Sequence, residues 1–304
     1  MPAYALTATA MGFGTEPYVT PQEFKQAATR VDWANLVPGD PESSEAELFN
    51  NLMRASSWAD NVCNQPLGAT IDSGQEVVTV GRDGKVRIHP RQTPCTMLTS
   101  FQYGADPSSM TALTDFTGVW VEPDTLTVPL ASSGLVSSSG ALGFGTGAAG
   151  AGDPVYVQYD YASGWPNTTL TAAANAGDTT LQVNIPVGIL PAFTLLGIYD
   201  GPFTEMVGVS ASYVPGASVV ALQTPLQYAH AQYGPAGVSV SALPPIIKQS
   251  VISLTAALCR NGGSQALVMA SLNAAPKTKT LQENGWRQDV VDALTNLASF
   301  GRVR

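Results

Sequence analysis

Few residues of this chain could move a proton, hold a metal or cradle a phosphate. Histidine occurs only at 89 and 230. His230 stands in PLQYAHAQYGPAG, residues 225 to 237, a tyrosine- and amide-rich stretch that would suit a general base if an orienting acid and a substrate pocket came with it. As a metal ligand it would need companions, and His89, followed by Pro90 in a separate predicted hairpin, is not one. The reading from the residues is that His230 hydrogen-bonds within a loop. Cys63, Cys95 and Cys259 lie far apart with no CxxC, as core or semi-buried thiols rather than a zinc site or disulfide framework. Asp106, Asp115, Glu122 and Asp124 lack calcium-loop or acid-pair spacing and read as solvated surface charge. Gly145, Gly147 and Gly150 spell G-x-G-x-x-G, the dinucleotide-binding spacing, yet that chemistry needs a strand just before and a helix just after. Asp153-Pro154 follows instead, so the spacing is low-complexity coincidence. No G-x-S-x-G elbow, P-loop, H-E-x-x-H or zinc ribbon occurs. No catalytic, metal or cofactor-binding residue is therefore assigned, and a structural or assembly role is expected over an enzymatic one.

Composition agrees with that weighting. The 304 residues include 29 glycines and 22 prolines, with 44% apolar and only 12% charged residues, which suits a β-rich, loop-rich protein of two domains. No apolar run reaches the roughly 20 residues of a membrane span. The opening MPAYALTATAMGFGTEPYV lacks a basic n-region and an apolar core, so a cytoplasmic origin is expected and the NTT sequon at Asn167 carries little weight. The net charge of −9 disfavours a phosphate-gripping surface, but it is uneven. Six basic residues (Arg260, Lys277, Lys279, Arg287, Arg302, Arg304) face three acids after position 259, so −12 over residues 1–259 is followed by +3. A basic arm on an acidic body suits docking on an acidic partner.

The elements that would position these residues divide by periodicity. Thr20, Pro21 and Glu23 mark a helix start with a capping box, predicting a helix over about 21–30. Ser44 with Glu47 opens a second over about 44–63, with Phe49, Leu52, Met53, Ala59, Val62 and Cys63 as its apolar side and Pro66 and Gly68 stopping it. A β section over about 75–161 follows: EVVTVGRDGKVRIHP as a hairpin about Asp83-Gly84, then TMLTSFQYG, GVWVEPDTLTVP and PVYVQYDYASG. The Gly/Ser/Ala-rich stretch 131–152 reads as a mobile loop. Residues 167–242 read as an inserted small all-β barrel or sandwich, with Leu181, Val183 and Ile185 alternating with polar residues. Helices return in LPPIIKQSVISLTAALCRNGG, with a stripe of Ile246, Ile247, Ser250, Val251, Leu254 and Leu258, and in GWRQDVVDALTNLASFG, with Trp286, Val290, Leu294 and Leu297 on one side.

In this order, YVTPQEFKQAA, AELFNNLMRASSWADNVCNQPL, HPRQTPCTMLTSFQYG, VYVQYDYASGWP and LPPIIKQSVISLTAAL resemble the head-to-tail connector (adaptor) proteins of tailed bacteriophages, over residues 18–166 and 243–304. The family shows a V-x-V-x-Y-x-x-G-(Y/W)-P strand end and a (V/L)PP-x-I-K-Q helix. TLTAAANAGDTTLQV, TEMVGVS and LQTPLQYAHAQYGPAGVSV resemble a small β domain recurrent in virion proteins, in which the PL-x-Y-A-H turn belongs to the fold. The resemblance implies an α+β connector core in two pieces, 1–166 and 243–304, around the inserted domain 167–242. It implies a virion protein made in the host cytoplasm, forming a ring of identical subunits, usually twelve. That ring would sit between the portal protein and the next neck or tail protein, with DNA passing through and no membrane contact. An acid-lined lumen would keep that DNA mobile by repulsion. The portal-docking role of the family's C-terminal segment falls on Lys277, Lys279, Trp286, Arg287, Arg302 and Arg304. The alternatives are a minor tail or decoration protein whose β domain binds a host-surface or virion partner, and a hydrolase with a scattered site, against which stand two lone histidines and no activated nucleophile.

Overall fold

A computed structural model describes residues 16–130, 151–231, 233–234, 237–260 and 288–300. The expected mobile loop lies outside them except at residues 131–152's last two positions, where Ala151 and Gly152 form a turn. The described chain is mixed α+β, with four sheets and a small number of helices. It divides into two compact units, whose described parts are Ala69–Gly164 and residues 16–68 with Trp165 onward.

In the first unit, valine- and tyrosine-rich alternation builds long strands. β1 (Thr70–Thr79), β3 (Cys95–Gly104), β4 (Thr111–Ala112) and β7 (Pro154–Ser163) form an antiparallel sheet in the order β1-β7-β3-β4. β2 (Lys85–Ile88), β5 (Trp120–Val121) and β6 (Leu126–Pro129) form a second, β2-β6-β5. Residues of both sheets share one core, among them Val86, Ile88, Phe101, Leu126, Val128, Val157 and Tyr161. On the sheet's other face, Ser73, Gln75 and Val77 are exposed, as the two-residue period requires.

The predicted hairpin about Asp83-Gly84 is half right. Gly84, at φ +70°, closes a turn through Gly81 N to Lys85 O at 2.8 Å, but β1 and β2 do not pair. β1 runs against β7 from Thr70–Ser163 to Thr79–Pro154, and β2 against β6. The turn is a corner between sheets because β7 offers β1 a ten-residue ladder and aromatic cross-strand partners that four-residue β2 cannot match. Tyr159 lies over Gly74, where a Cβ would come within 2.2 Å of its ring.

In the second unit, α1 (Pro21–Gln26) starts as expected, with Thr20 Oγ1 accepting from Glu23 N at 3.2 Å. It ends early: Ala27 turns extended and Arg30 takes φ +55°, so the predicted continuation to about 30 is corrected. α2 (Pro41–Cys63) begins three residues before Ser44, because Asp40 caps it by accepting from Ser43 N at 3.0 Å. Its buried side centres on Leu48, Leu52, Ala55, Ala59 and Cys63, which leaves Phe49, Met53 and Val62 at the margin. α3 (Pro245–Arg260) buries Ile247, Ser250, Val251, Leu254 and Leu258, while Ile246 is exposed. α4 (Gln288–Ala298) adds Val290, Leu294 and Leu297, and these helices share one core with Val19 and Phe24.

The same unit holds β8 (Asn167–Thr169), β9 (Thr180–Gln182), β10 (Leu195–Tyr199), β11 (Glu205–Gly208), β12 (Val219–Ala221) and β13 (Ser239–Ser241). They pair as β11-β10-β13-β8 and β9-β12, linked by bridges at Leu170–Val183 and Val209–Leu222. One core, including Leu181, Val183, Leu196, Ile198, Val220 and Val240, serves both sheets. Among the described residues neither sheet closes into the barrel that was one expectation, because three-residue strands β9 and β12 pair only with each other.

Candidate functional site

The most concentrated polar chemistry lies inside the second unit, around two side chains taken out of water, Lys248 and His230. Pro244 and Pro245 start α3, and the helix's first turn carries Lys248 inward. Its ammonium spends its three donors on Tyr18 O at 3.1 Å, Glu23 Oε2 at 2.8 Å and Ser239 Oγ at 3.0 Å, and it lies 4.0 Å from the centre of the Tyr199 ring. Burial pulls the Lys248 ammonium below its usual range, and the Glu23 carboxylate opposes that pull without cancelling it. The capping box expected at α1 is thus only half formed: Glu23 N caps onto Thr20, but its carboxylate turns to Lys248. One buried charge joins the segment before α1, α1 itself, α3, β10 and β13.

His230 is the second centre, with 0% exposure. Its backbone exchanges both hydrogen bonds with Ala174, at 2.8 and 2.9 Å, which fixes the PL-x-Y-A-H turn on the domain. Ring Nδ1 lies 3.0 Å from Asp200 Oδ2 and Nε2 lies 3.1 Å from Glu205 Oε1, so each ring nitrogen has a carboxylate partner. Glu205 also accepts from Gln227 N at 2.9 Å and Tyr228 N at 3.0 Å. Burial alone would raise the Glu205 carboxyl, but those two amides and then His230 outweigh it and the net direction is down. Asp200 Oδ1 takes a further hydrogen bond from Gln22 Nε2 at 2.7 Å, which carries the network to α1. A general base must reach a substrate proton, and an imidazole with no exposed surface and both nitrogens engaged does not. His230 is therefore the strut of a turn, as its loop reading anticipated, although the orienting acids that sequence reasoning found missing are present at residues 200 and 205.

A third cluster locks the chain after α2. Tyr18 OH donates to Asp60 Oδ1 at 2.5 Å and accepts from Leu67 N and Gly68 N at 3.1 and 3.0 Å, while Asp60 accepts from Leu67 N at 3.0 Å. Burial pushes the Asp60 carboxyl up to about 6 despite the hydrogen bonds it accepts from Tyr18 and Leu67.

The remaining candidates do local work. Asp106 accepts from Ser108 Oγ at 2.5 Å and Ser108 N at 2.8 Å, and Asp115 from the Thr117 side chain and from Thr117 N at 2.8 Å; the side-chain hydrogen bonds first, and then the backbone ones, lower both carboxyls. Glu122 accepts from Trp120 Nε1 at 3.1 Å, and Asp124 from Thr125 Oγ1 at 3.1 Å. His89 is exposed and belongs to the first unit. All three cysteines are buried, and burial pushes Cys63 up to about 12 and Cys259 to about 11. Among the described residues, no three His, Cys, Asp or Glu side chains converge as metal ligands, and no helix is long and apolar enough to cross a membrane. Gly145, Gly147 and Gly150 lie outside the described residues, as do all six residues of the predicted portal contact: Lys277, Lys279, Trp286, Arg287, Arg302 and Arg304.

Sequence reasoning missed Lys248, Asp60, Asp200 and Glu205 as a buried framework. A signal for Lys248 was available, since it lies three residues before Val251 and so within the apolar stripe of α3, where a lone lysine demands a partner.

The fold and its polar centres define a mixed α+β protein whose buried ionisable groups fasten segments of the second unit together. No family signature and no curated protein matches the chain. A chain from a solved structure described as "Neck of empty GTA particle computed with C6 symmetry" aligns over 94% of this chain and 94% of its own, with 15% identity and a TM-score of 0.33. A superposition that loose sets no residue-to-residue correspondence.

Proposed function

We propose that this chain is a structural neck protein of a tailed-phage-like particle, a head-to-tail connector that forms a ring between the portal and the next neck or tail component and lets DNA pass. The observation that carries the reading is where the connector-like segments meet. Tyr18 and Glu23 come from the YVTPQEF stretch and Lys248 from LPPIIKQ, and they join at one buried ammonium more than 220 residues apart in sequence. Stretches that resemble the family thus meet at one buried charge, which a shared architecture would favour. In this reading the protein is not an enzyme and resides in the virion, after synthesis in the host cytoplasm. Lys277, Lys279, Trp286, Arg287, Arg302 and Arg304 dock it on the portal, and residues 167–242 are a domain inserted into the connector core.

Electron microscopy of particles made with this gene disabled tests the proposal. Filled heads without tails are expected; particles normal in assembly and adsorption overturn it. Deleting residues 286–304 should then abolish portal binding in a pull-down, and retained binding removes the docking role.

A second reading, a decoration or minor tail protein, draws on one feature of the small sheets. Leu196, Ile198 and Val207 fill the core, so alternation turns Leu195 and Met206 outward, both 56% exposed, near Phe193 at 72%. Complete tailed particles that fail to adsorb would favour it.

A further inference from the structure

We propose that β1 is the interface of a two-fold pair of copies of this chain, in which the open edges of two β1 strands meet antiparallel and join their sheets into one. The proposal goes beyond the neck reading and does not depend on it.

The open edge is defined by the ladder on the strand's other side. Among the described strands β1 pairs only with β7, at the end of its sheet. Val80 N donates to Asp153 O at 3.1 Å, and Thr79 stands opposite Pro154, which has no N–H to give. Hydrogen-bonded pairs alternate along an antiparallel ladder, so the even-numbered residues from Asp72 to Val78 spend their backbone groups on β7. Ile71, Ser73, Gln75, Val77 and Thr79 therefore aim their N–H and C=O groups away from it. No backbone group among the described residues meets them.

Edge strands are ordinarily blunted with lysine, proline or a bulge. β1 has none of these: TIDSGQEVVT runs ten residues against β7 without a register shift. Its two acids do not guard the edge either. Asp72 Oδ2 accepts from Ser163 Oγ at 2.7 Å and Glu76 Oε1 from Tyr159 OH at 2.9 Å, so both carboxylates are drawn back toward β7. On the solvent face Ser73, Gln75 and Val77 are uncharged and exposed, Val77 at 62%. In a chain of net charge −9, such a row lets a second copy approach without like charges in contact.

The register names the occupant. With Gln75 on the two-fold axis, Gln75 faces Gln75 of the second copy, Ser73 faces Val77, Ile71 faces Thr79, Asp72 faces Val78 and Gly74 faces Glu76. Every outward backbone group from Ile71 to Thr79 then finds a partner, and no carboxylate stands directly opposite another. The same patch thus serves both copies, as a two-fold interface requires.

Analytical ultracentrifugation of the full chain at about 50 μM, with cross-linking at chosen positions, tests the proposal. Gln75→Pro removes an outward N–H and leaves the β7 ladder intact, the one placement an edge strand tolerates. It should halve the sedimenting mass with the circular dichroism unchanged. Cysteine variants give a readout that does not depend on that substitution. A hydrogen-bonded antiparallel pair holds its Cα atoms about 5.5 Å apart, within disulfide reach, so Gln75→Cys should give a covalent dimer on mild oxidation. Ser73→Cys, offset from its own copy by four residues or roughly 13 Å along the strand, should not. The native cysteines are buried and stay out of the reaction. A wild-type monomer, an oligomer unchanged by Gln75→Pro, or equal cross-linking at positions 73 and 75 overturns the proposal.

Discussion

Replacing Lys248 with methionine keeps the length of the side chain and removes its charge. The loss strands the Glu23 carboxylate, whose side chain is 11% exposed, and takes donors from Tyr18 O and Ser239 Oγ. Removing one partner of a buried ion pair costs about 3–5 kcal/mol. Part is returned because methionine carries no ammonium to desolvate, and the lowered position of Lys248 shows that this desolvation is a real cost. A net loss of about 2–4 kcal/mol follows. All helices among the described residues belong to the second unit, so circular dichroism at 222 nm during urea unfolding reports on it selectively. With a denaturant slope of roughly 2 kcal/mol per molar, Lys248→Met should lower the midpoint by about 1–2 M. Adding Glu23→Gln removes the stranded charge and should recover about half of the loss. The pH dependence has a fixed sign. A lysine whose folded-state value lies below its ordinary 10.5 binds fewer protons in the folded state, so stability rises with pH between the lowered and the ordinary value. Lys248→Met should lose that rise. A midpoint shift below about 0.3 M, or a double variant less stable than the single by the full cost of Glu23→Gln alone, refutes the reasoning.

Two further outcomes follow from burial. Asp60, raised to about 6, holds its proton longer in the folded than in the unfolded state. Stability therefore falls as pH rises from about 4 to about 6, by up to about 3 kcal/mol, and Asp60→Asn, which still accepts from Tyr18 and Leu67, should flatten that slope; urea midpoints at the two ends that change equally in both proteins contradict it. The three buried thiols, two of them pushed to about 11 and about 12, should resist a disulfide reagent at mild alkaline pH and all react in denaturant. One thiol reacting at the free-cysteine rate in the native protein would contradict their burial.

Much of the local structure was legible because its causes are local. Thr20 and Pro21 start α1, Pro244 and Pro245 start α3, and the valine–tyrosine alternation of 154–163 makes a strand wherever its partner lies. Errors at element ends had equally local causes that a different residue won: Asp40 and Pro41 took the cap of α2 from Ser44. The reading of His230 as part of a turn came from its surroundings in the chain and agrees with its bonds to Ala174.

The amino-acid sequence by itself determined the kinds of element, the scarcity of catalytic side chains and the acidic body ahead of a basic end, since each depends on residue type and near neighbours. Tertiary structure alone decided that β1 runs with β7 rather than β2, that Asp200 and Glu205 bracket His230, and that Lys248 joins Tyr18, Glu23 and Ser239. Those choices rest on contacts between residues far apart in the chain. A strand takes the longest apolar ladder the folded molecule offers, and a buried charge takes whichever opposite charge or carbonyl the packed core brings within reach.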